Sequence, residues 1–344
     1  MPSLDVFNQD PFSVINLTQA INKVPFVPGR AGEIIPWDEQ GVTTTTVWIE
    51  EVEGQLSIVD PTPRGGVGHT VAKEKRTARP LGIPHYEIND AIYADEVQGI
   101  RAFGSETEVE TVQALVNRRL SQHVMWRLDP TLEYQRVGAV KGVILNADGS
   151  TLYNLFTEFN VQQPGEVDFN LDAASPASGA LRKTCAQVVR TIMDNLGGVP
   201  FTGLHAFCGD AFFDGLLAHK EVVDSYKNTS MASVLREGYV YPNGNRVYGA
   251  FEFGGIVWEN YRGKIGNTPI IDPDKCHIFP VGVPGLFVTR YAPADYVETV
   301  NTVGLPRYSR QFMMPNGKGV YLDVQMNAIN YCSRPNVLVQ GKRT

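Results

Sequence analysis

The chain has 344 residues, 43% of them hydrophobic and 19% charged, with a formal net charge of −7. That length suits about two domains with a real buried core, and the composition excludes a disordered chain. The acidic balance argues against a protein that wraps nucleic acid over its whole surface, while leaving room for one weakly basic face.

The stretch Met1-Pro2-Ser3-Leu4-Asp5 has neither the basic nor the apolar region of a signal peptide. No run approaches the ~18 apolar residues that a membrane span needs. Cys185, Cys208, Cys276 and Cys332 stand far apart in apolar neighbourhoods. Buried reduced thiols are therefore expected ahead of a disulfide framework or a zinc site, as in a protein made in the cytosol.

Residues 1–40 read as an arm. Asp10-Pro11 is a cap-and-first-position pair for one short helix over about 12–22. Pro25, Pro28 and Pro36, with Gly29 and Gly32 between them, then hold the chain extended. Too few apolar residues recur for this segment to fold alone, so it needs another surface to lie on.

Residues 41–88 predict a long two-armed hairpin. Its outgoing arm is dense in β-branched residues, and its centre is pure turn chemistry: Asp60, Pro61, Thr62, Pro63, Arg64, Gly65, Gly66, Val67 and Gly68. The return arm carries Lys73, Lys75, Arg76 and Arg79. An extended arm over 43–62 spans roughly 60 Å, whereas the radius of gyration of a compact chain this long is about 20 Å. An isolated two-stranded hairpin is marginal in water. This one is expected to lie across a neighbouring subunit, the alternative being that it folds back on its own sheet.

A rod follows. Ser105 and Glu108 have the spacing of a capping box, and Val109, Val112, Val116, Leu120, Val124 and Leu128 recur at steps of three or four on one face. At ~1.5 Å per residue, 105–128 is about 36 Å long. Proline disfavours helix in the residue before it, so a break or a kink is expected at Asp129-Pro130, a candidate bend of the spine, with Asp129 capping a second helix to about residue 141. A hairpin over 143–159 then turns at Asp148-Gly149.

Residues 176–298 alternate helix and strand, as in an inserted α/β domain. The first helix, 176–196, points Leu181, Cys185, Val188, Ile192 and Leu196 inward and stops at Gly197. Another runs from Asp210 to about 226, and a strand over 246–258 is interrupted at Gly254-Gly255. Near the end, Val320, Leu322, Val324, Met326 and Ala328 alternate with polar residues at a period of two. This strand and 307–314 form a hairpin turning at Pro315-Asn316-Gly317, expected to pair with the 143–159 hairpin and pack on the rod.

Reactive chemistry does not assemble in the sequence. The run from Gly65 to Thr70 lacks the Gly-Lys-Ser/Thr ending of a phosphate loop, and Gly317-Lys318 lacks the first glycine. His205 with Cys208, and Cys276 with His277, do not close a four-ligand metal set. His69, His85, His123 and His219 are scattered, and no Gly-x-Ser-x-Gly elbow occurs. The basic run has no interleaved aromatic of the kind single-strand binding favours; an acidic patch on a partner and a plain solvated strand face are both open readings. No cofactor is expected.

The order of parts resembles the HK97-type capsid fold: N-arm, E-loop, P-domain with a spine helix and sheet, inserted A-domain, and return to the sheet. Local sequence is more specifically similar to the lambda-type (gpE family) major head proteins of tailed phages. The likeness rests on Asp10-Pro11-Phe12 with Leu17 to Asn22, the tip Pro63-Arg64-Gly65-Gly66, and Glu96 to Arg101. Its strongest segment runs from Leu128-Asp129-Pro130-Thr131-Leu132-Glu133 to Gly142 through Gly149.

The resemblance implies an α+β fold divided into an N-arm at 1–40, an E-loop at 41–88, a discontinuous P-domain at 89–175 and 299–344 with its spine at about 105–141, and an A-domain at 176–298. It implies no catalytic residues. The expected product is an icosahedral shell of hexameric and pentameric capsomers, assembled in the bacterial host cytoplasm with a separate scaffolding protein, a portal and often a decoration protein. That shell would expand from a procapsid around double-stranded DNA held without sequence-specific binding. An encapsulin-like compartment is the alternative within the fold; outside it stands a cytosolic α/β enzyme with its active site in 176–298.

Overall fold

The computed structural model describes residues 29–52, 76–97, 112–173, 175–227, 239–240, 246–247, 249–265 and 268–344. The helix expected at 12–22, the tip Asp60 to Gly68, Lys73, Lys75 and the capping box at 105–108 lie outside those residues.

One sheet is built around the strand Gly319–Cys332. Its first part pairs antiparallel with His85–Tyr93 on one side and Tyr308–Met313 on the other. Its last part pairs with Phe287–Tyr291, and Asp38–Gly41 adds in parallel beyond that. Val320, Leu322, Val324, Met326 and Ala328 form one buried cluster with Leu115, Val116, Leu120, Val124, Leu128 and Leu132 of the spine. A period-two face here meets a helical stripe, the simplest way for both to leave water.

On the polar side of the same strand Asp323, Gln325 and Asn327 are buried as well. Gln325 Nε2 donates to Asp295 Oδ1 at 2.7 Å and Asn327 Nδ2 to Pro293 O at 2.9 Å, because the chain at Pro293–Asp295 crosses over that face.

The expected partner of this strand is corrected. Val143–Leu145 and Thr151–Asn154 pair only with each other, and the chain turns helical at Leu155–Glu158, with Asn154 capping through the Phe156 N–H. Strand Thr151–Asn154 is too short to cover the long edge, whereas His85–Tyr93 matches Gly319 to Asn327 residue for residue.

The spine runs without interruption through Val112–His123, a wide π-type turn at Val124–Leu128, and Asp129–Lys141, ending on left-handed Gly142. Of the break or kink expected at Asp129-Pro130, the break does not occur: Leu128 (φ −72°, ψ −44°) and Asp129 (φ −64°, ψ −45°) both stay helical, and the irregularity is the wide turn before them. A proline ring inside a regular helix clashes with the carbonyl four residues back. Here the Asp129 N–H reaches back to Val124 O, five residues away, so the widened turn makes room for the ring of Pro130. Asp129 lies inside the continuous helix, and its carboxylate accepts from Arg307 Nη2 at 2.6 Å.

The second sheet has the order Ala250–Phe253, Ile256–Asn260, Gly203–Cys208, Lys275–Val281, Val339–Lys342 and Val167–Asp168. Helix Ala180–Leu196 buries Leu181, Cys185, Val188, Ile192 and Leu196, the five residues expected. The helix expected over 210–226 is two, Asp210–Ala218 and Lys220–Lys227, separated by the extended backbone of His219. Three strands fall outside the expected division of the chain: Phe287–Tyr291 belongs to the first sheet, and Val167–Asp168 and Val339–Lys342 to the second. No described helix is long and apolar enough to cross a membrane.

Candidate assembly surfaces

The stem of the two-armed hairpin is a separate two-stranded ribbon, Thr46–Val52 against Arg76–Gly82, in register from Thr46–Gly82 to Val52–Arg76. Its root is fixed to the body. Val42 N donates to Tyr291 O at 2.8 Å and Tyr153 Oη to Gly82 O at 2.7 Å, while Ile83 N closes the two arms on Thr45 O at 2.9 Å and its side chain packs against the core. Val47 and Leu81 are buried at that root, while Trp48 stands exposed. Of the four basic residues expected on the return arm, the ribbon includes Arg76, opposite Val52, and Arg79. Arg79 is exposed, and its Nη1 reaches the carbonyl oxygens of Thr157 and Glu158 at 3.5 and 3.4 Å.

A second constellation fixes the place where the N-terminal arm joins the body. The short helix Arg30–Ile34 is clamped from two sides. Glu133 of the spine accepts from the Ala31 N–H at 2.8 Å and from Tyr261 Oη at 3.0 Å. Arg30 forks onto Glu259 through Nε at 2.6 Å and Nη2 at 3.1 Å, and His205 Nε2 lies 3.2 Å from the same carboxylate. A Cβ at Gly29 would displace the Glu133 side chain from this clamp.

Burial pushes the Glu133 carboxyl up, against the hydrogen bonds from Ala31 and Tyr261. Burial acts on Glu259 in the same sense, but the hydrogen bonds from His205 and Arg30 win and hold it at about 2. One turn of chain thus ties the spine to the second sheet. Sequence reasoning missed this set, because Arg30 and Glu259 are 229 residues apart and no local spacing announces the pair.

Among the described residues, those with reactive side chains do not converge; His69 and the run Gly65 to Thr70 lie outside them. Cys208 and Cys276 are neighbours on adjacent strands, and all four cysteines are free and buried. Burial raises the thiols of Cys185 and Cys332 to about 12. His277 is pushed down to about 3 by burial and by Lys141 and Lys275, which keeps it neutral. His123 is half-buried, as expected of a helix residue beside the stripe, and lies 2.8 Å from Asp90 Oδ2. Among the described residues no group of three or more His, Cys, Asp or Glu is placed to hold a metal ion. A groove of about 640 Å³ beside helix Ala180–Leu196 is lined by valines and by Gln162, Gln163, Gln187, Asn195 and Asn336, with no acidic, basic or thiol side chain.

Comparison with known proteins agrees with a fold built of anchors and surfaces. The chain is 29% identical to the major capsid protein of Pseudomonas phage KPP10, across 99% of both chains. It is 23% identical to the major capsid protein of Salmonella phage Felix O1, across 95% of both. A crystal structure assigned as a prophage capsid protein of E. coli CFT073 superposes with a TM-score of 0.55 at 10% identity, over 96% of this chain and 99% of that one. This likeness concerns the fold alone, the α+β HK97-type capsid architecture. The family model for phage major capsid protein E matches residues 13–343, so the chain belongs to that family and is the subunit of a tailed-phage head shell.

Proposed function

We propose that this subunit forms pentameric and hexameric capsomers of an icosahedral head that begins as a procapsid on a separate scaffolding protein in the host cytoplasm. A portal occupies one vertex, and the shell expands as double-stranded DNA is packaged and then receives a decoration protein. The net charge of −7 suits a container that encloses DNA without gripping its sequence. The chain does this work without catalysis. Residues 1–40 serve as N-arm and 41–88 as E-loop, whose last residues enter the first sheet through His85–Tyr93; the spine and first sheet form the P-domain and the second sheet the A-domain. On this reading Phe287–Tyr291 passes to the P-domain, and Val167–Asp168 and Val339–Lys342 pass to the A-domain.

The observation that carries the proposal is the hairpin stem. It joins neither large sheet, its root is fixed, and residues 53–75 lie between its arms. A lone two-stranded ribbon gains too little by itself, so a neighbouring subunit is its natural support. Electron microscopy of the protein, alone and with its scaffold, tests the reading. Closed shells are expected; a stable 37.9 kDa monomer under every such condition would overturn it.

A further inference from the structure

The loop between strands Phe287–Tyr291 and Tyr308–Met313 reverses the usual burial pattern. Val297, Val300, Val303 and Leu305 are 84%, 63%, 59% and 42% exposed, while the polar Thr299 is buried beneath them. Thr299 Oγ1 lies 2.7 Å from Ala294 O and 3.0 Å from Tyr296 O, and Thr302 Oγ1 donates to Thr299 O at 2.7 Å. Asn301 takes the left-handed conformation at φ 59°. At the far end Gly304 N donates to Val42 O at 2.9 Å and Leu305 N to Tyr308 Oη at 2.9 Å. Gly304 also packs against Gly41 and the Tyr291 carbonyl so tightly that neither glycine has room for a Cβ. A loop held at so many points has lost its freedom before it meets anything, and that lowers the cost of docking. Its apolar side chains nonetheless face water.

We infer that residues 297–305 are a contact surface for a second copy of this chain, an inference that rests on the shell reading above. Three observations favour a copy over a separate protein. The exposed aliphatic area is on the order of a few hundred Å², short of the ~1,000 Å² that holds a stable pair by itself. So small a contact suffices where the chains are already joined elsewhere and meet at high effective concentration. Charge points the same way. Every copy carries −7, so copies approach best through a neutral surface, and the loop's one charged residue, Glu298, faces Arg310 of its own chain at 3.5 Å. Position is the third: the Gly304–Val42 hydrogen bond sets the loop at the root of the hairpin stem, continuous with the surface already assigned to a neighbour.

Because all four native cysteines are buried, Val300→Cys adds the one thiol open to a maleimide. Labelling is expected to be several-fold slower in shells built of this chain than in dissociated subunits. Equal rates in well-formed shells would overturn the inference and leave the shell reading standing. Protection that arises only when a separate protein is added would also overturn it, by giving the loop to that partner; a chain that never forms shells removes both readings. As a second arm, Val300→Asp with Val303→Asp should leave the subunit folded and require about tenfold more protein for assembly. Wild-type assembly by that variant would overturn the inference.

Discussion

Arg307 Nη2 lies 2.6 Å from Asp129 Oδ1, with 6% and 7% of the two side chains exposed. The pair joins the proline-bearing turn of the spine to the start of strand Tyr308–Met313. Removing one partner of a buried pair strands the other charge and typically costs about 3–5 kcal/mol. Arg307→Met is therefore expected to lower unfolding stability by about 3 kcal/mol or more. Adding Asp129→Asn should cost less than the sum of the single changes. Denaturant unfolding of dissociated subunits reads both; simple additivity would mean that the two groups act independently.

The same turn is where a spine bend is expected to matter. We propose that the wide turn at Val124–Leu128, with Asp129 and Pro130, lets the spine change curvature as the shell expands. Pro130→Ala restores a backbone N–H and removes the ring, so a regular α-turn becomes accessible. Stability should then hold or rise, by up to about 3 kcal/mol. In wild-type particles, helix curvature at 124–130 should differ between immature and mature shells when both are imaged. The same curvature in both would remove the role.

What could be read locally was what repeats locally. The stripe Val116, Leu120, Val124 and Leu128, the inward face from Leu181 to Leu196, and the Gly254-Gly255 turn each follow from a period or a backbone preference. Contacts between distant residues left no such trace. Nothing near Arg30 announces Glu259, and nothing in His85–Tyr93 names Gly319–Cys332 as its partner. At Pro130 the local rule was overridden, because Leu128 and Leu132 on either side pack into the sheet and hold the helix through the proline. The valines of 297–305 were silent for a different reason: an apolar residue in a loop says nothing until the fold shows which side it faces.

Glu259 sets an acid limb of stability. Its carboxyl lies at about 2 in the folded chain against an ordinary 4.5. The depressed value contributes stability above about pH 4.5 that is lost as pH falls towards 2, worth about 3 kcal/mol in all. Glu133 acts in the opposite sense, since burial raises its carboxyl and acid relieves that cost. Glu259→Gln should be less stable than wild type at pH 7 by about 3 kcal/mol. The gap should close between pH 4.5 and 2 in unfolding series. A gap that stays constant with pH would show that the charge of Glu259 is not what holds Arg30.

The four cysteines give a direct check on packing. All are buried, and burial raises Cys185 and Cys332 to about 12. A thiol held protonated and out of solvent is a poor nucleophile. Native protein should therefore react with a disulfide reagent only as it unfolds, at the rate set by denaturant. Prompt reaction without denaturant would contradict the packing of helix Ala180–Leu196 on the second sheet.

The last prediction concerns the hairpin that the shell reading needs most. Arg79 meets two carbonyl oxygens of its own chain at 3.4 and 3.5 Å, at the outer limit for a hydrogen bond, and stays exposed. Such weak contacts leave its charge available to an acidic neighbour, with Arg76 further out along the same arm. Arg76→Glu with Arg79→Glu should weaken assembly and reduce its sensitivity to salt, while unfolding of the dissociated subunit changes by less than about 1 kcal/mol. Deleting residues 60–68 should likewise block lattice formation and spare the folded subunit, because the stem's root is anchored through the Val42–Tyr291 and Tyr153–Gly82 hydrogen bonds. Normal shells from the deletion would show that the tip clasps nothing, and unchanged salt dependence in the charge-reversed variant would remove the acidic neighbour.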